Sequence, residues 1–206
     1  MKDILEAPLI KETRRNHALE HATIHILSSR LPGRAMAGHS NPTGFFLIGD
    51  LPTENVRAAV SEALTRLQNG EHQLAIHEGC GTNYVVTGGL AAIFAFVGMS
   101  GTSSDRERLD RIPLVMLLSI IAFMLGRPLG PALQKSVTTQ PDPGSMTLVD
   151  VYPVAQHIHR VVTNSYGLSA ACPIITFISF LVTMNSPFAS RRKNSRQSSV
   201  TQPRRA

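Results

Sequence analysis

Charge is distributed unevenly along these 206 residues, and that distribution constrains the fold more than any motif does. The chain is 17% charged, against about 25% for an ordinary soluble domain. Its charges gather in residues 1–83, in 101–111 and in 191–206, while 84–100 and 112–126 carry none. Clean apolar runs of this kind belong to segments withdrawn from water into lipid. They hold 17 and 15 residues, at the short end for a span that normally needs about 20, and Arg111 and Arg127 can extend them by snorkelling toward headgroups. The short connection at 101–111 makes the pair an antiparallel hairpin. A third apolar run, 168–184, is interrupted by Pro173 and is a candidate third membrane segment.

The expected organisation is an α+β N-terminal domain over 1–83 and a transmembrane helical hairpin over 84–130. A linker and short surface segment follow over 131–167, in which 146–162 alternates weakly and reads as a strand or a short surface piece, then the candidate membrane segment over 168–190 and a basic tail over 191–206. Within the first domain, Leu19, Ala22, Ile26 and Leu27 recur at helical spacing and predict a helix over 13–29, stopped by Pro32-Gly33. Gly44 to Gly49 reads as a strand between turn residues, with 35–39 as its antiparallel neighbour. A second helix opens after Pro52 with Thr53 as N-cap and buries Val56, Val60, Leu64 and Leu67. Residues 73–77 read as a further strand, followed by the glycine-rich turn Glu78-Gly79-Cys80-Gly81-Thr82-Asn83. Helix, antiparallel strands, helix, strand makes a two-layer core.

The net charge is +6, but six of the 20 basic residues lie in the tail, from Arg191 to Arg205. Such a tail is solvated or held at anionic lipid. With no Trp and three Tyr, stacking platforms are scarce and no nucleic-acid partner is expected. The partner implied is the lipid bilayer. The two cysteines, Cys80 and Cys172, form no disulfide framework and fit a reducing compartment. The N-terminus lacks the basic start and apolar run of a signal peptide. Two spans would leave both ends on one side of the membrane and three would separate them; the expectation is an integral membrane protein with a cytoplasmic N-terminal domain.

His17-Ala18-Leu19-Glu20-His21 carries the chemistry. On a helix, His17 and His21 share a face and can share one ion. Glu20 leans toward the same space, where it can take a proton from a metal-bound water without being a ligand, the order known from inverted zincins. Cys80, between two glycines, is the third candidate ligand, with His77 and Glu78 as alternatives; His25 continues the helical line. Two imidazoles, a thiolate and an open fourth position describe a catalytic zinc site. Thr43, Asn41 and Asn83 are candidate polar contacts.

These residues, with Thr43-Gly44-Phe45-Phe46, Pro52-Thr53-Glu54 and Cys80-Gly81-Thr82 in the same order, resemble the zinc core of S-ribosylhomocysteine lyase, which shares its fold with the His-x-x-Glu-His metallopeptidases. The resemblance implies zinc on His17, His21 and Cys80, and Glu20 as general base. It departs at Asn41, where the lyases have a catalytic cysteine, and at Cys80, where the peptidases use a distant glutamate. The chain as far as about Thr163 also resembles an uncharacterised family of small bacterial membrane proteins, through Asn16-His17-Ala18-Leu19-Glu20-His21, Cys80-Gly81-Thr82-Asn83 and Gly126-Arg127-Pro128-Leu129-Gly130-Pro131. That likeness implies the bacterial inner (plasma) membrane and no known activity.

Three functions compete on this reading. The first is a membrane-anchored zinc-dependent hydrolase or lyase acting on a membrane-protein or lipid-proximal substrate. The second is a non-enzymatic metal-binding assembly protein, and the third is a membrane interaction subunit without metal.

Overall fold

A computed structural model describes residues 2–164. The candidate third membrane segment, Cys172 and the basic tail lie outside them.

The chain opens with a short helix, α1 (Lys2–Leu5), and then α2 (Pro8–Arg30). The latter starts earlier than residue 13 because Pro8 occupies its first turn, where a missing N–H costs nothing. Next come β1 (Ala37–Asn41), β2 (Gly44–Ile48) and α3 (Thr53–Gln68). Pro52, rather than Thr53, takes the N-cap position of α3, and the Thr53 hydroxyl pairs instead with His159 Nε2 at 3.1 Å.

Two expectations are corrected in this head domain. Residues 73–77 do not form a strand: His72–Ala75 is a 3-10 turn. The carbonyls that a ladder would have used go to histidine rings, Ala75 O to His21 and Ile76 O to His25. Residues 131–164 are more than a linker with a surface segment, and the alternating stretch from Met146 takes its strand reading. They contain β3 (Thr147–Ala155) and β4 (Ile158–Asn164), an antiparallel pair that completes a four-stranded sheet in the order β1-β2-β4-β3. Phe45 of β2 pairs with Val161 of β4, which in turn pairs with Val151 of β3. The head is therefore built from both sides of the helical hairpin.

One face of the sheet packs on α2 and α3. Leu19 and Leu27 meet Phe45, Leu47, Val56, Val60, Leu67, Val151 and Val161 in a single core, all 2% exposed or less. Burial of side chains of this size contributes roughly 1.5–3 kcal/mol each before entropy is counted. Arg57 of α3 fastens β3 through the Asp150 carboxylate at 2.8 Å and the Val151 carbonyl at 2.7 Å.

Between the two parts of the head stand α4 (Gly81–Met99) and α5 (Asp105–Leu133), followed by a π turn, Gln134–Thr138. At 1.5 Å per residue they run about 28 and 43 Å. Both are long and apolar enough to cross a membrane, and only 6% and 11% of their most apolar stretches is buried. A core helix of a soluble protein would be mostly covered, so these two present their apolar surface outward. They approach closely where glycines allow it: a Cβ on Gly126 would collide with Thr87, and one on Gly130 with Asn83. Pro128 and Pro131 lie just before the point where α5 widens into the π turn, which brings the chain back onto α2.

Candidate metal centre

The helical period of α2 puts Thr13, His17, Glu20 and His21 on a single side, while Ala18, Leu19 and Ala22 are wholly buried. That side faces β1 and the turn before α4. His21 is 2% exposed and Glu20 4% exposed, so both are held by their surroundings rather than by solvent.

Each of the two histidines is oriented by a backbone carbonyl. His17 Nδ1 lies 3.0 Å from Thr138 O, and His21 Nδ1 lies 2.7 Å from Ala75 O. A carbonyl can only accept, so both Nδ1 atoms carry the proton and donate it. In the neutral ring, Nε2 then holds a free lone pair. This is how metal-binding histidines are usually held by the groups behind them. The rings meet edge to face with centroids 4.3 Å apart.

Cys80 arrives from the other direction, at the N-cap of α4. The turn that delivers it is built by His77, whose Nδ1 accepts the Gly79 N–H at 2.8 Å and whose carbonyl accepts the Cys80 N–H at 3.2 Å. Gln134, wholly buried at the end of α5, clamps the same turn. Its Oε1 accepts from His77 N, and its Nε2 donates to His77 O and, at 2.7 Å, to Asn83 Oδ1. The result places Cys80 Sγ 3.6 Å from His17 Nε2, and one ligand atom from each of His17, His21 and Cys80 lies within 4.8 Å of the others.

The electrostatics favour a thiolate here. Burial alone would raise the Cys80 pKa, but hydrogen bonding with His17, His21 and Thr82 outweighs it and lowers the pKa to about 5. His17 shifts the opposite way: burial opposes its charged form, but the Cys80 sulfur, the Thr138 carbonyl and Glu20 together raise its pKa. Burial raises the Glu20 pKa, against a hydrogen bond from Ser40 and the charges of His17 and His21.

The Ser40 hydroxyl donates to Glu20 Oε2. Gly38 makes that reach possible, because a Cβ there would overlap the Glu20 carboxylate. Thr13, His17, Glu20, His39, Ser40, Cys80 and Thr82 line one cavity of about 260 Å³. At about 30 Å³ per water, it has room for several waters or a small substrate group beside the three ligand candidates.

The other sequence candidates have different places. His25 donates from Nε2 to Ile76 O at 2.8 Å, and its ring lies against His77, so neither joins the cluster of three. The Glu78 carbonyl accepts from Asn83, which belongs to the turn rather than the cavity. The Asn41 side chain accepts from Thr43 and from Arg160, whose guanidinium covers the Phe46 ring at 4.6 Å. The sequence reading missed Thr13, Gly38, Ser40 and Thr82 in the cavity, and Thr138 and Gln134 behind it. Thr13 stands four residues before His17 and could have been found by helical spacing; the rest required the fold.

Comparison with known proteins gives kinship without chemistry. The family described as a domain of unknown function, DUF6391, matches residues 12–151. An uncharacterized protein of Picosynechococcus sp. is 34% identical over 140 residues, covering 61% of this chain. The chain spans 65% of that relative's length. No solved structure matches it.

Proposed function

This chain belongs to the DUF6391 family, and from its own site we propose that it is a membrane-anchored, zinc-dependent hydrolase or lyase, with α4 and α5 as its membrane spans. The observation that carries the reading is the pairing of two carbonyl-anchored imidazoles with one thiol, all within ligand-sharing distance. A set of two nitrogens and one sulfur fits zinc better than harder cations. A bound zinc ion would supply a water whose pKa is brought to about 7.

The residues divide the work as follows. His17 and His21 present Nε2 and Cys80 presents Sγ as ligands. Glu20 stands beside them as the proton acceptor; a carboxyl with a raised pKa holds and releases a proton closer to neutrality than an ordinary one. The Ser40 hydroxyl, also on the cavity wall, holds one oxygen of that carboxylate by donating to Oε2. Gly81 and Thr82, in the first turn of α4, line the cavity, which favours a substrate that is itself lipid-proximal or part of a membrane protein. The sulfur ligand continues the likeness to S-ribosylhomocysteine lyase alone, while the helix-turn order and the glutamate continue it to both the lyase and the His-x-x-Glu-His peptidases. Asn41, in place of the lyase cysteine, argues against the same substrate. The free Cys80 thiol supports a cytoplasmic placement of the head at the inner membrane.

A second reading draws on the same contacts. His17 and Cys80 join α2 to the start of α4, so a metal there would also clamp the head to the hairpin without any catalysis. Full-chain protein purified in detergent distinguishes the two. The enzymatic reading expects about one zinc per chain, lost in His17→Ala and kept in Glu20→Gln, with hydrolysis of model peptide or ester substrates abolished in both. The clamp expects Glu20→Gln to change nothing. A folded wild-type chain free of metal after expression with zinc supplied overturns both.

A further inference from the structure

Away from the hairpin, large apolar side chains are exposed in two places among the described residues. One is the outer side of the sheet, with Ile48, Tyr152 and Val154. The other is the start of the chain, with Ile4 at 64% exposure, Leu9 at 67% and Ile10 at 38%. Nothing in the structure shows what covers the first. The second has a position that identifies its partner.

Arg14, itself buried, ties the start of the chain to the foot of the hairpin. Its guanidinium donates to Leu5 O at the end of α1 and to Ser136 O and Thr139 O just beyond α5. The α1 helix and the first turns of α2 are therefore fixed where α5 leaves its apolar stretch. Leu9, Thr13 and His17 follow one another at four-residue spacing on one line of α2. Thr13 and His17 line the cavity, and Leu9 is the next residue outward. On the other wall, Gly81 and Thr82 line the cavity, and Tyr84 and Val85 follow at 72% and 76% exposure. Both walls of the metal cavity thus continue into exposed apolar side chains, and on α4 these run without interruption into the apolar surface of the hairpin.

From this continuity we infer that α1 and the first turns of α2 form an interfacial element that seats Ile4, Leu9 and Ile10 in the headgroup–acyl boundary of the bilayer. Amphipathic segments of this kind settle about 5–10 Å into that boundary. Together with Tyr84 and Val85 they give the cavity a lipid-facing rim. The inference rests on the reading of α4 and α5 as membrane spans.

The chain contains no Trp, so single tryptophans report depth without background. Three variants of the full chain are reconstituted in phosphatidylcholine–phosphatidylglycerol vesicles: Leu9→Trp, Phe123→Trp on the exposed face of α5, and Tyr152→Trp on the sheet. Lipids brominated high on the acyl chain should quench Leu9→Trp at least about twofold more than Tyr152→Trp, with its emission shifted to the blue. Phe123→Trp should be quenched most by lipids brominated deep in the chain. Quenching of Phe123→Trp without that of Leu9→Trp overturns the interfacial element and leaves the spans standing. Absence of both overturns the spans as well. Equal lipid quenching at Leu9→Trp and Tyr152→Trp, or a blue shift at Leu9→Trp without lipid quenching, as a contact with a second chain would give, also overturns it.

Discussion

His17 Nε2 and Cys80 Sγ, 63 residues apart in sequence, stand 3.6 Å from each other at the joint between the head and α4. Neither is placed by its neighbours in sequence alone. Thr138, just past α5, turns the imidazole, and Gln134, one turn earlier, shapes the loop that carries the thiol. The segment that follows the hairpin therefore helps to assemble the site.

The cradle at Gly38 gives the first prediction. A methyl group there would occupy the space of the Glu20 carboxylate, while the surrounding strand is only partly buried and can accept alanine. Gly38→Ala should leave the thermal midpoint within about 3 °C of wild type, the shift that accompanies less than about 1 kcal/mol in a chain this size. It should lower turnover by about 10²-fold or more, the effect of losing a positioned general base. Turnover of a model substrate, measured beside metal content, checks that the metal stays while the rate falls.

Gln134 gives the second. Gln134→Leu is close in volume but removes the partners of the partly buried His77 N–H and Asn83 Oδ1, while His77 O keeps the Cys80 N–H. Each group left unsatisfied costs about 1–3 kcal/mol. The expected result is a loss of about 2–4 kcal/mol, read by chemical denaturation in detergent. Metal affinity should fall as well, because the Cys80 turn loosens. A variant with wild-type stability and affinity would show that the clamp does not matter.

The third prediction concerns pH. His159 is buried, with Nδ1 lacking a partner, and burial lowers its pKa. The unfolded ring titrates near 6.5, so below that value the unfolded chain binds a proton that the folded chain resists. Stability contributed by the neutral ring is complete above about pH 6.5 and declines as pH falls toward the folded pKa. Thermal midpoints measured between pH 7.5 and 5 should therefore fall, and the fall should be shallower in His159→Gln. An identical slope in the two proteins would contradict this assignment.

The sequence was legible where the physics is local. The spacing of His17, Glu20 and His21 needs only a helix to bring them together, and the apolar runs on either side of residues 101–111 mark α4 and α5 by length and composition. The glycines around Cys80 marked the turn that carries it. Legibility failed where partners are distant. The β3 and β4 strands complete a sheet begun about 100 residues earlier, and no local pattern in 146–162 states that Val161 will pair with Phe45. Residues 73–77 have the composition of a strand, but their carbonyls found His21 and His25 before any ladder. Ser40 and Thr138 are ordinary polar residues until the fold sets them against Glu20 and His17.

The shared cation is tested most directly by cobalt. The 206-residue chain, purified in detergent with its metal removed and one equivalent of Co²⁺ added, should develop tetrahedral d–d bands with a thiolate-to-cobalt charge-transfer band in the near ultraviolet. Cys80→Ser should lose the charge-transfer band, and His17→Ala and His21→Ala should each weaken binding. A wild-type spectrum of hexa-aquo cobalt, or a charge-transfer band that survives Cys80→Ser, would contradict the site.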